Sequence, residues 1–169
     1  MGDLAARILE SSRLTGTFRL RSGGTSTHYF DKYRFESDPA LLREICAALA
    51  PQVPAGTDAL AGLELGGVPI ATVLAQLTGI PVVFVRKQRK DYGTCHLVEG
   101  MDVAGRSLVV VEDVATTGGQ LVKSIGDLRR EGARIDTAIC VVDRQAGASA
   151  LLAQAGVALK ALFLLRDLT

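Results

Sequence analysis

One stretch of this chain constrains its fold more than any other. Residues 108–119 read LVVVEDVATTGG: an apolar run, two adjacent carboxylates, then a turn of hydroxyl residues and glycines. An uninterrupted apolar run is typical of a strand buried in a parallel sheet. Open α/β sheets bind ligands at the carboxyl ends of their strands. We therefore predict a buried strand whose carboxyl end opens into a ligand site.

The residue types after this strand indicate a ligand. The adjacent carboxylates of Glu112 and Asp113 can accept hydrogen bonds from vicinal hydroxyls, such as those of a ribose. Residues 116–119, Thr-Thr-Gly-Gly, present backbone N–H groups and hydroxyls at the start of a predicted helix, an arrangement that binds phosphate. One loop can thus hold both ends of a ribose 5-phosphate. The alternative is a buried strand with an acidic helix cap and a glycine turn.

The rest of the chain alternates between strand and helix patterns. We predict helices over residues 4–14, 39–49, 68–77, 120–131 and 148–155, and strands over residues 17–20, 27–33, 59–63, 81–85, 107–112, 135–142 and 159–165. Asp38 followed by Pro39 is a typical helix start. This alternation predicts an α/β fold with a central parallel sheet flanked by helices. The segments after residues 63, 85, 112 and 142 then meet at one edge of the sheet.

Two cationic features fall at that edge. The segment from Arg86 to Gly100 has no strand or helix pattern, and four of its first five residues are cations. Cations there can stabilise a departing diphosphate, and the glycines permit a lid to move; the alternative is a solvated basic loop. Arg144 follows the strand at residues 135–142, where a guanidinium matches a ligand carboxylate in bidentate geometry. Its alternative is an ion pair with a nearby acid.

Composition excludes several classes of protein. The chain has 169 residues, which favours one domain, and a formal net charge of +1, which does not suggest a nucleic-acid partner. It has no apolar run long enough to cross a membrane, and its first residues lack the basic start of a secretory signal. The three cysteines match no disulfide or zinc spacing, and the two histidines, His28 and His96, match no metal site. We expect a cytoplasmic location with reduced thiols.

The motif at residues 108–119 resembles the phosphoribosyl diphosphate (PRPP) motif of the type I phosphoribosyltransferases. The loop is similar to the mobile loop of one branch, the orotate phosphoribosyltransferases, with matches at Arg86, Lys87, Lys90, Tyr92 and Gly93. Tyr92 stands where that family usually has histidine. The resemblance implies a single phosphoribosyltransferase domain over residues 1–169, with a small N-terminal hood (about residues 1–35) and a mobile catalytic loop (about residues 86–101). It also implies a homodimer in which the loop acts across the interface.

Further matches extend the resemblance. Residues 18–23 resemble the family's Phe-x-Leu-Lys-Ser-Gly segment, with Arg21 in place of the lysine that contacts substrate. Tyr29 and Phe30 resemble the aromatic pair beside the pyrimidine. Residues 64–67, Glu-Leu-Gly-Gly, resemble the diphosphate loop. Arg144 matches the arginine that binds the orotate carboxylate. The alternatives are core packing for the aromatic pair and an ordinary strand-to-helix turn for residues 64–67.

The reaction implied by the resemblance is orotate plus PRPP giving orotidine 5′-monophosphate and diphosphate, a step of UMP biosynthesis. The implied catalytic residues are Lys90, Glu112 and Asp113. PRPP would be bound by Arg86, Lys87, Lys90, Tyr92, Glu112, Asp113, Val114, Ala115, Thr116, Thr117, Gly118, Gly119 and Gln120, and orotate by Arg21, Tyr29, Phe30, Thr116 and Arg144. Mg²⁺ would be held through substrate and water near Glu112 and Asp113. The competing interpretations are a phosphoribosyltransferase for another base and a PRPP-sensing regulator of transcription.

Overall fold

The structure is a computed structural model that describes residues 2–19, 23–89 and 96–168. Arg21, Lys90 and Tyr92 therefore lie outside the described residues, and their roles stay predictions. The helices are α1 (Gly2–Ser12), α2 (Tyr33–Ser37), α3 (Pro39–Leu49), α4 (Gly67–Thr78), α5 (Gly119–Arg130) and α6 (Ala148–Gln154). The strands are β1 (Arg13–Arg19), β2 (Thr25–Phe30), β3 (Ala59–Leu63), β4 (Val82–Val85), β5 (Val98–Glu99), β6 (Ser107–Ala115), β7 (Arg134–Asp143) and β8 (Ala158–Leu164).

The predicted parallel sheet is confirmed. Six strands lie in the order β5-β4-β3-β6-β7-β8, and every neighbouring pair is parallel except β4 with β5. The motif strand β6 lies between β3 and β7. The strands β1 and β2 form a separate antiparallel ribbon at the N-terminal end. The turn after β6 is thus held at the middle of the carboxyl edge of the sheet.

The two faces of the sheet are covered by different helices. Successive residues of a strand point to opposite faces, so Val109 and Val111 of β6 pack in a cluster with α1, α3 and α4. Leu108 and Val110 pack in a second cluster with α5 and α6. Burying a side chain such as Val110 removes it from water and stabilises the fold by about 1.5–3 kcal/mol.

Helix starts follow the sequence signals. The carboxylate of Asp38 accepts hydrogen bonds from the N–H groups of Ala40 and Leu41, at 2.9 and 3.0 Å, and Pro39 is the first residue of α3. This is the predicted cap, and the predicted range of α3 matches the observed one. In the described part of the chain, we find no helix with the length and apolar character needed to cross a bilayer.

Several predicted boundaries were wrong, each for a local reason. The strand predicted over residues 27–33 ends at Phe30, because the Asp31 carboxylate accepts a hydrogen bond from Tyr33 N–H (3.2 Å) and α2 begins there. The first helix ends at Ser12 instead of residue 14, since β1 starts at Arg13 to pair with β2. Residues 98 and 99, predicted as loop, form β5 against β4.

Strand β6 is longer than predicted, and this difference changes where the acidic pair of the site lies. The strand was predicted to end at Glu112, but it continues to Ala115 because β7 pairs with it as far as Ala115 and Asp143. Its other neighbour, β3, pairs only as far as Val111. The acidic pair therefore lies within a strand that is flanked on one side only, next to the open space beyond the end of β3.

Candidate active site

A cavity of about 620 Å³ opens at the carboxyl edge of the sheet. It brings together many of the predicted site residues, which belong to β6, the following turn and two neighbouring loops. Its lining includes Lys87, Glu112, Val114, Thr116, Thr117, Gly118, Gly119, Gln120 and Arg144. A cavity of about 640 Å³ beside β5 is lined by residues 96–103 and Glu131, which include no predicted site residue. We therefore place the candidate site at the carboxyl edge.

The turn after β6 has the geometry expected of a phosphate site. The first N–H groups of any helix have no partner within the helix, so those at the start of α5 are available to a ligand. Gly118 precedes α5 with φ of +82°, a conformation that favours glycine. A β-carbon at Gly118 would also lie 2.9 Å from Cα of Ala148 in α6. The turn is thus compact and its backbone lies close to the cavity.

The acidic pair is divided between the two faces of the sheet. Glu112 is half-buried and lines the cavity on the face of α5, whereas Asp113 is fully buried on the face of α4. There, Nζ of Lys32 lies 2.5 Å from Oδ2 of Asp113. Glu112 is therefore the carboxylate of the pair that meets the cavity.

The electrostatics of this cluster follow from burial and mutual contact. Burial, followed by the hydrogen bond and charge of Asp113, raises the pKa of Glu112 well above its ordinary value. Burial also acts to raise the pKa of Asp113, but hydrogen bonds from Glu112 and Lys32 outweigh it, and that pKa is lowered. Asp113 is therefore the anion of the pair, and it is balanced by the Lys32 ammonium.

The loop between β3 and α4 comes very close to β6. A β-carbon at Gly66 would lie 1.5 Å from Oδ2 of Asp113, and one at Gly67 would lie 2.1 Å from the carbonyl oxygen of Val111. These two glycines let the backbone reach the edge of the cavity. Glu64 and Leu65 of the same loop line it, and a Glu64 carboxylate oxygen accepts a hydrogen bond from Lys87 N–H at 2.9 Å. The predicted diphosphate loop thus adjoins the start of the basic loop.

A second cavity of about 320 Å³ adjoins the first. Tyr29 and Phe30 line it, and it shares walls with the larger cavity at Thr116 and Arg144. Tyr29 is 46% exposed and stacks on Phe18, with ring centroids 5.4 Å apart. Its exposure leaves a ring face for a planar ligand, which argues against simple core packing.

Arg144 is exposed between the two cavities. Its backbone N–H donates to the carbonyl oxygen of Ala115 (2.9 Å), which fixes the start of the loop after β7. Among the described residues, no carboxylate lies within ion-pair distance of its guanidinium. The alternative of an ion pair with a described acid is therefore not supported, and the side chain remains available to a ligand.

The other predicted residues lie around the cavities without lining them. Ala115 is buried and acts through its backbone. Nη1 of Arg86 lies 3.7 Å from Oε1 of Glu99, and Arg89 forms an ion pair with Glu131. Both guanidinium groups are therefore paired with glutamates of the same chain. Lys87 is the cation of the described basic loop that lines the larger cavity.

Sequence reasoning did not assign a role to a group of residues between β2 and α3. Lys32 and Tyr33 line both cavities, and Glu36 lies buried behind them. The wrong extension of β2 to Tyr33 concealed Lys32 and Tyr33, because neighbouring residues of a strand point to opposite faces. Asp31, a frequent turn residue followed by a charged stretch, is the signal that could have indicated the helix start.

The side chains around the cavity indicate what kind of metal ion the site could hold. The described residues contain no cluster of three or more histidine, cysteine, aspartate or glutamate side chains that could hold an ion. Among the residues that the structure describes, His28 and His96 belong to no such cluster. Glu112 and Glu64 do supply carboxylate oxygens at the cavity wall. This set fits a hard cation that takes most of its ligands from substrate oxygens and water.

Comparisons with known proteins agree with this geometry. The phosphoribosyl transferase domain family matches residues 37–158. An orotate phosphoribosyltransferase of a Nocardioides species is 51% identical over 91% of this chain and 86% of its own, and that of Halobacterium salinarum is 48% identical over 90% and 87%. The crystal structure of Mycobacterium tuberculosis orotate phosphoribosyltransferase in complex with PRPP superposes with a TM-score of 0.84 at 26% identity, covering 99% of this chain and 97% of that one.

Proposed function

This chain belongs to the orotate phosphoribosyltransferases of the phosphoribosyltransferase family, and on that premise we propose how its two cavities carry out the reaction. The enzyme transfers the 5-phosphoribosyl group of PRPP to N1 of orotate, which gives orotidine 5′-monophosphate and diphosphate for UMP biosynthesis. The observation that carries the proposal is the pair of adjoining cavities with Thr116 and Arg144 in their common wall. One cavity has the groups for a phosphorylated ribose and the other has those for a planar carboxylate.

PRPP occupies the larger cavity. Its 5-phosphate lies on the N–H groups and hydroxyls of residues 116–120, at the start of α5. The ribose hydroxyls lie over Glu112, and Asp113 stays in contact with Lys32 directly behind it. The diphosphate reaches the loop of Gly66 and Gly67, where the cations of the basic loop neutralise it: Arg86, Lys87 and Lys90, with Tyr92 as a hydrogen-bond donor.

Orotate occupies the smaller cavity. Tyr29 and Phe30 lie along the pyrimidine ring, and the Arg144 guanidinium binds the carboxylate in bidentate geometry. Arg21 adds a second cation on the base side. Because both cavities meet at Thr116, N1 of orotate faces C1′ of the ribose across that junction. The nucleophile then approaches the face opposite to the departing diphosphate.

The chemistry asks the protein for position and charge. The C1′–O bond breaks as the N1–C1′ bond forms, through a transition state with positive charge on the ribose, and the proton on N1 of orotate is finally released to solvent. The Asp113 carboxylate, the anion of the acidic pair, stabilises that charge, while Glu112 holds the ribose hydroxyls beside it. Lys90 donates a proton to the diphosphate oxygen that leaves, or stabilises its negative charge. Closure of the basic loop excludes water, which would otherwise hydrolyse PRPP.

Members of this family use a divalent cation. For this chain we take it to be Mg²⁺, held by PRPP oxygens and water beside Glu112 and Asp113. When bound, the ion neutralises charge on the diphosphate and lowers the barrier to its departure.

The proposal includes an assembly and a location. We propose a homodimer in which the loop of residues 86–101 acts at the active site of the neighbouring subunit. Each subunit would be a single domain with an N-terminal hood over about residues 1–35. Its location would be cytoplasmic, with no membrane or nucleic-acid partner. Mixing Lys90→Ala subunits with Arg144→Ala subunits tests the crossed loop, because a mixed dimer then has one intact site. Recovery of activity supports it, and mixed dimers without activity contradict it.

The reaction itself is tested by following orotate consumption by ultraviolet absorbance. We expect loss of orotate that requires both PRPP and Mg²⁺, and no comparable reaction with uracil, adenine or guanine. Faster reaction with one of those bases would assign the enzyme to that base instead. PRPP binding by calorimetry without turnover of any base would favour a PRPP-sensing regulator.

A further inference from the structure

Asp113 lies at a buried meeting point of three chain segments. It comes from β6, Lys32 and Glu36 come from the β2–α2 segment, and Gly66 comes from the loop before α4. We call these four residues the carboxyl junction. Asp113 is fully buried and Glu36 is 8% exposed, so water screens the interaction between these two carboxyl groups only weakly. The junction lies directly behind the loop to which we assign the diphosphate.

One carboxyl oxygen of Asp113 and one of Glu36 both approach Gly66 in the junction. A β-carbon on Gly66 would lie 1.5 Å from Oδ2 of Asp113 and 3.0 Å from Oε1 of Glu36, so both oxygens border the same point. Lys32 Nζ is next to Oδ2 of Asp113, at 2.5 Å. Oε1 of Glu36 is buried with no hydrogen-bond donor among the described groups. Buried polar atoms are nearly always satisfied, so this oxygen needs an explanation.

A proton held between the carboxyl groups of Glu36 and Asp113 explains why Oε1 of Glu36 has no other partner. Two ionised carboxylates with oxygens this close repel each other strongly away from water, and one ammonium balances only one of them. If Glu36 is protonated, its O–H donates a hydrogen bond to the Asp113 carboxylate. The two carboxyl oxygens then form a donor–acceptor pair instead of two opposed acceptors. Burial, together with Asp113, raises the pKa of Glu36 to about 9, which agrees with a protonated group at neutral pH.

We propose that Glu36 is a positioning residue whose protonated carboxyl donates a hydrogen bond to Asp113 and, with Lys32, fixes that carboxylate beneath Gly66. The fixed carboxylate supports the loop of residues 64–67 and the neighbouring Glu112. Glu36 touches neither substrate, and it acts on PRPP through these groups. The inference rests on the proposed placement of PRPP in the larger cavity.

Two substitutions at Glu36 separate a hydrogen-bond donor from an anion. In Glu36→Gln, the amide N–H₂ can still donate to Asp113, so we expect KM values for PRPP and orotate within about twofold of the parent. In Glu36→Leu, the donor is lost, and we expect KM for PRPP to rise about tenfold, the effect of one missing buried hydrogen bond. KM for orotate should stay within about twofold in both variants.

The exposed Glu10 of α1 provides matched controls, since Glu10→Gln and Glu10→Leu make the same chemical changes away from the junction. Equal damage from Gln and Leu at position 36, in folded protein, would overturn the donor role. Parent-like PRPP kinetics in Glu36→Leu would overturn the positioning role. If no variant or parent consumed orotate at all, the proposed function would fail while the junction could still be tested.

Infrared spectroscopy provides that independent test and does not require Glu36→Leu to fold. At neutral pH the parent should show the C=O stretch of a protonated carboxylic acid that Glu36→Gln lacks. Identical carboxylic acid bands in the two proteins would show that Glu36 is ionised, which overturns the proposal.

Discussion

Gly66 lies against the carboxylate of Asp113 so closely that a β-carbon would stand 1.5 Å from Oδ2. Gly66 belongs to the loop before α4 and Asp113 belongs to β6, and the local sequence around either residue does not predict the contact. Their contact joins the loop assigned to diphosphate with the strand assigned to ribose. The packing of the site therefore depends on the absence of a side chain at position 66.

Replacing Gly66 tests this contact. In Gly66→Ala the new methyl group must displace Asp113 or the loop, because the facing atoms are buried. We expect the free energy of unfolding to fall by about 1–3 kcal/mol, as for other overpacked sites. KM for PRPP should rise as well. Urea denaturation and steady-state kinetics measure the two effects.

Gly126 in α5 is the matched control. A β-carbon there would meet only Nη1 of Arg130, at an ordinary 3.7 Å. Gly126→Ala should therefore stabilise α5 by up to about 1 kcal/mol, since alanine loses less chain entropy than glycine in a helix. A Gly66→Ala protein as stable and active as the parent would contradict the close contact.

Arg144 is predicted to recognise the carboxylate of the base. Arg144→Gln removes the charge and the bidentate geometry, so KM for orotate should rise about tenfold to a hundredfold, the range for a lost charge-assisted hydrogen bond. KM for PRPP should change much less. The exposed Arg43 of α3 offers the same substitution as a control. Equal losses for both substrates would argue against carboxylate recognition.

Lys90 is predicted to assist the departing diphosphate. Removing one group that stabilises developing charge typically costs a hundredfold or more, so we expect Lys90→Ala to lower kcat by about that factor. Circular dichroism should show an unchanged fold. Lys90→Arg should recover part of the activity, because it keeps the charge. An unchanged kcat in Lys90→Ala would rule out this role.

The stability of the protein should depend on pH through Glu36. Its pKa is raised to about 9 in the folded state from the ordinary 4.5, so the folded state holds a proton that the unfolded state releases over that range. The stabilising contribution is therefore fully present below about pH 4.5 and is lost as the pH rises toward 9. Glu36→Gln removes this dependence.

Urea denaturation of both proteins at about pH 5, 7 and 9 measures the effect. The stability of Glu36→Gln relative to the parent should increase steadily with pH, because the variant lacks the carboxyl group whose pKa is raised. A difference that stays constant across the range would mean that Glu36 titrates at its ordinary pKa.

Two buried thiols should be inert. Cys46 and Cys140 are free and fully buried, and burial raises the pKa of both, that of Cys46 to about 12. Thiolates are the reactive form, so iodoacetamide at mildly alkaline pH should modify neither residue before unfolding. Peptide mass spectrometry reports each site separately, with denatured protein as the positive control. Rapid labelling of either residue in native protein would contradict its burial.

Much of the architecture was accessible from local sequence patterns. The apolar runs at β3 and β6 predicted buried parallel strands, because a strand covered on both faces needs no alternation. The Asp38–Pro39 start of α3 was predicted because a cap depends on neighbouring residues alone. The strand, turn and helix start at residues 107–120 were predicted for the same reason, since all three lie within one short segment.

The sequence by itself determined the order of the elements, the family and most residues of the two cavities, since these depend on periodicity and on contiguous motifs. Only the tertiary structure decided that Glu112 meets the cavity while Asp113 turns inward to Lys32, because the end of β6 is set by its pairing with β7. It also decided the place of Glu36, which reaches Asp113 only after three distant segments pack together. Long-range contacts of this kind leave no periodic trace along the chain.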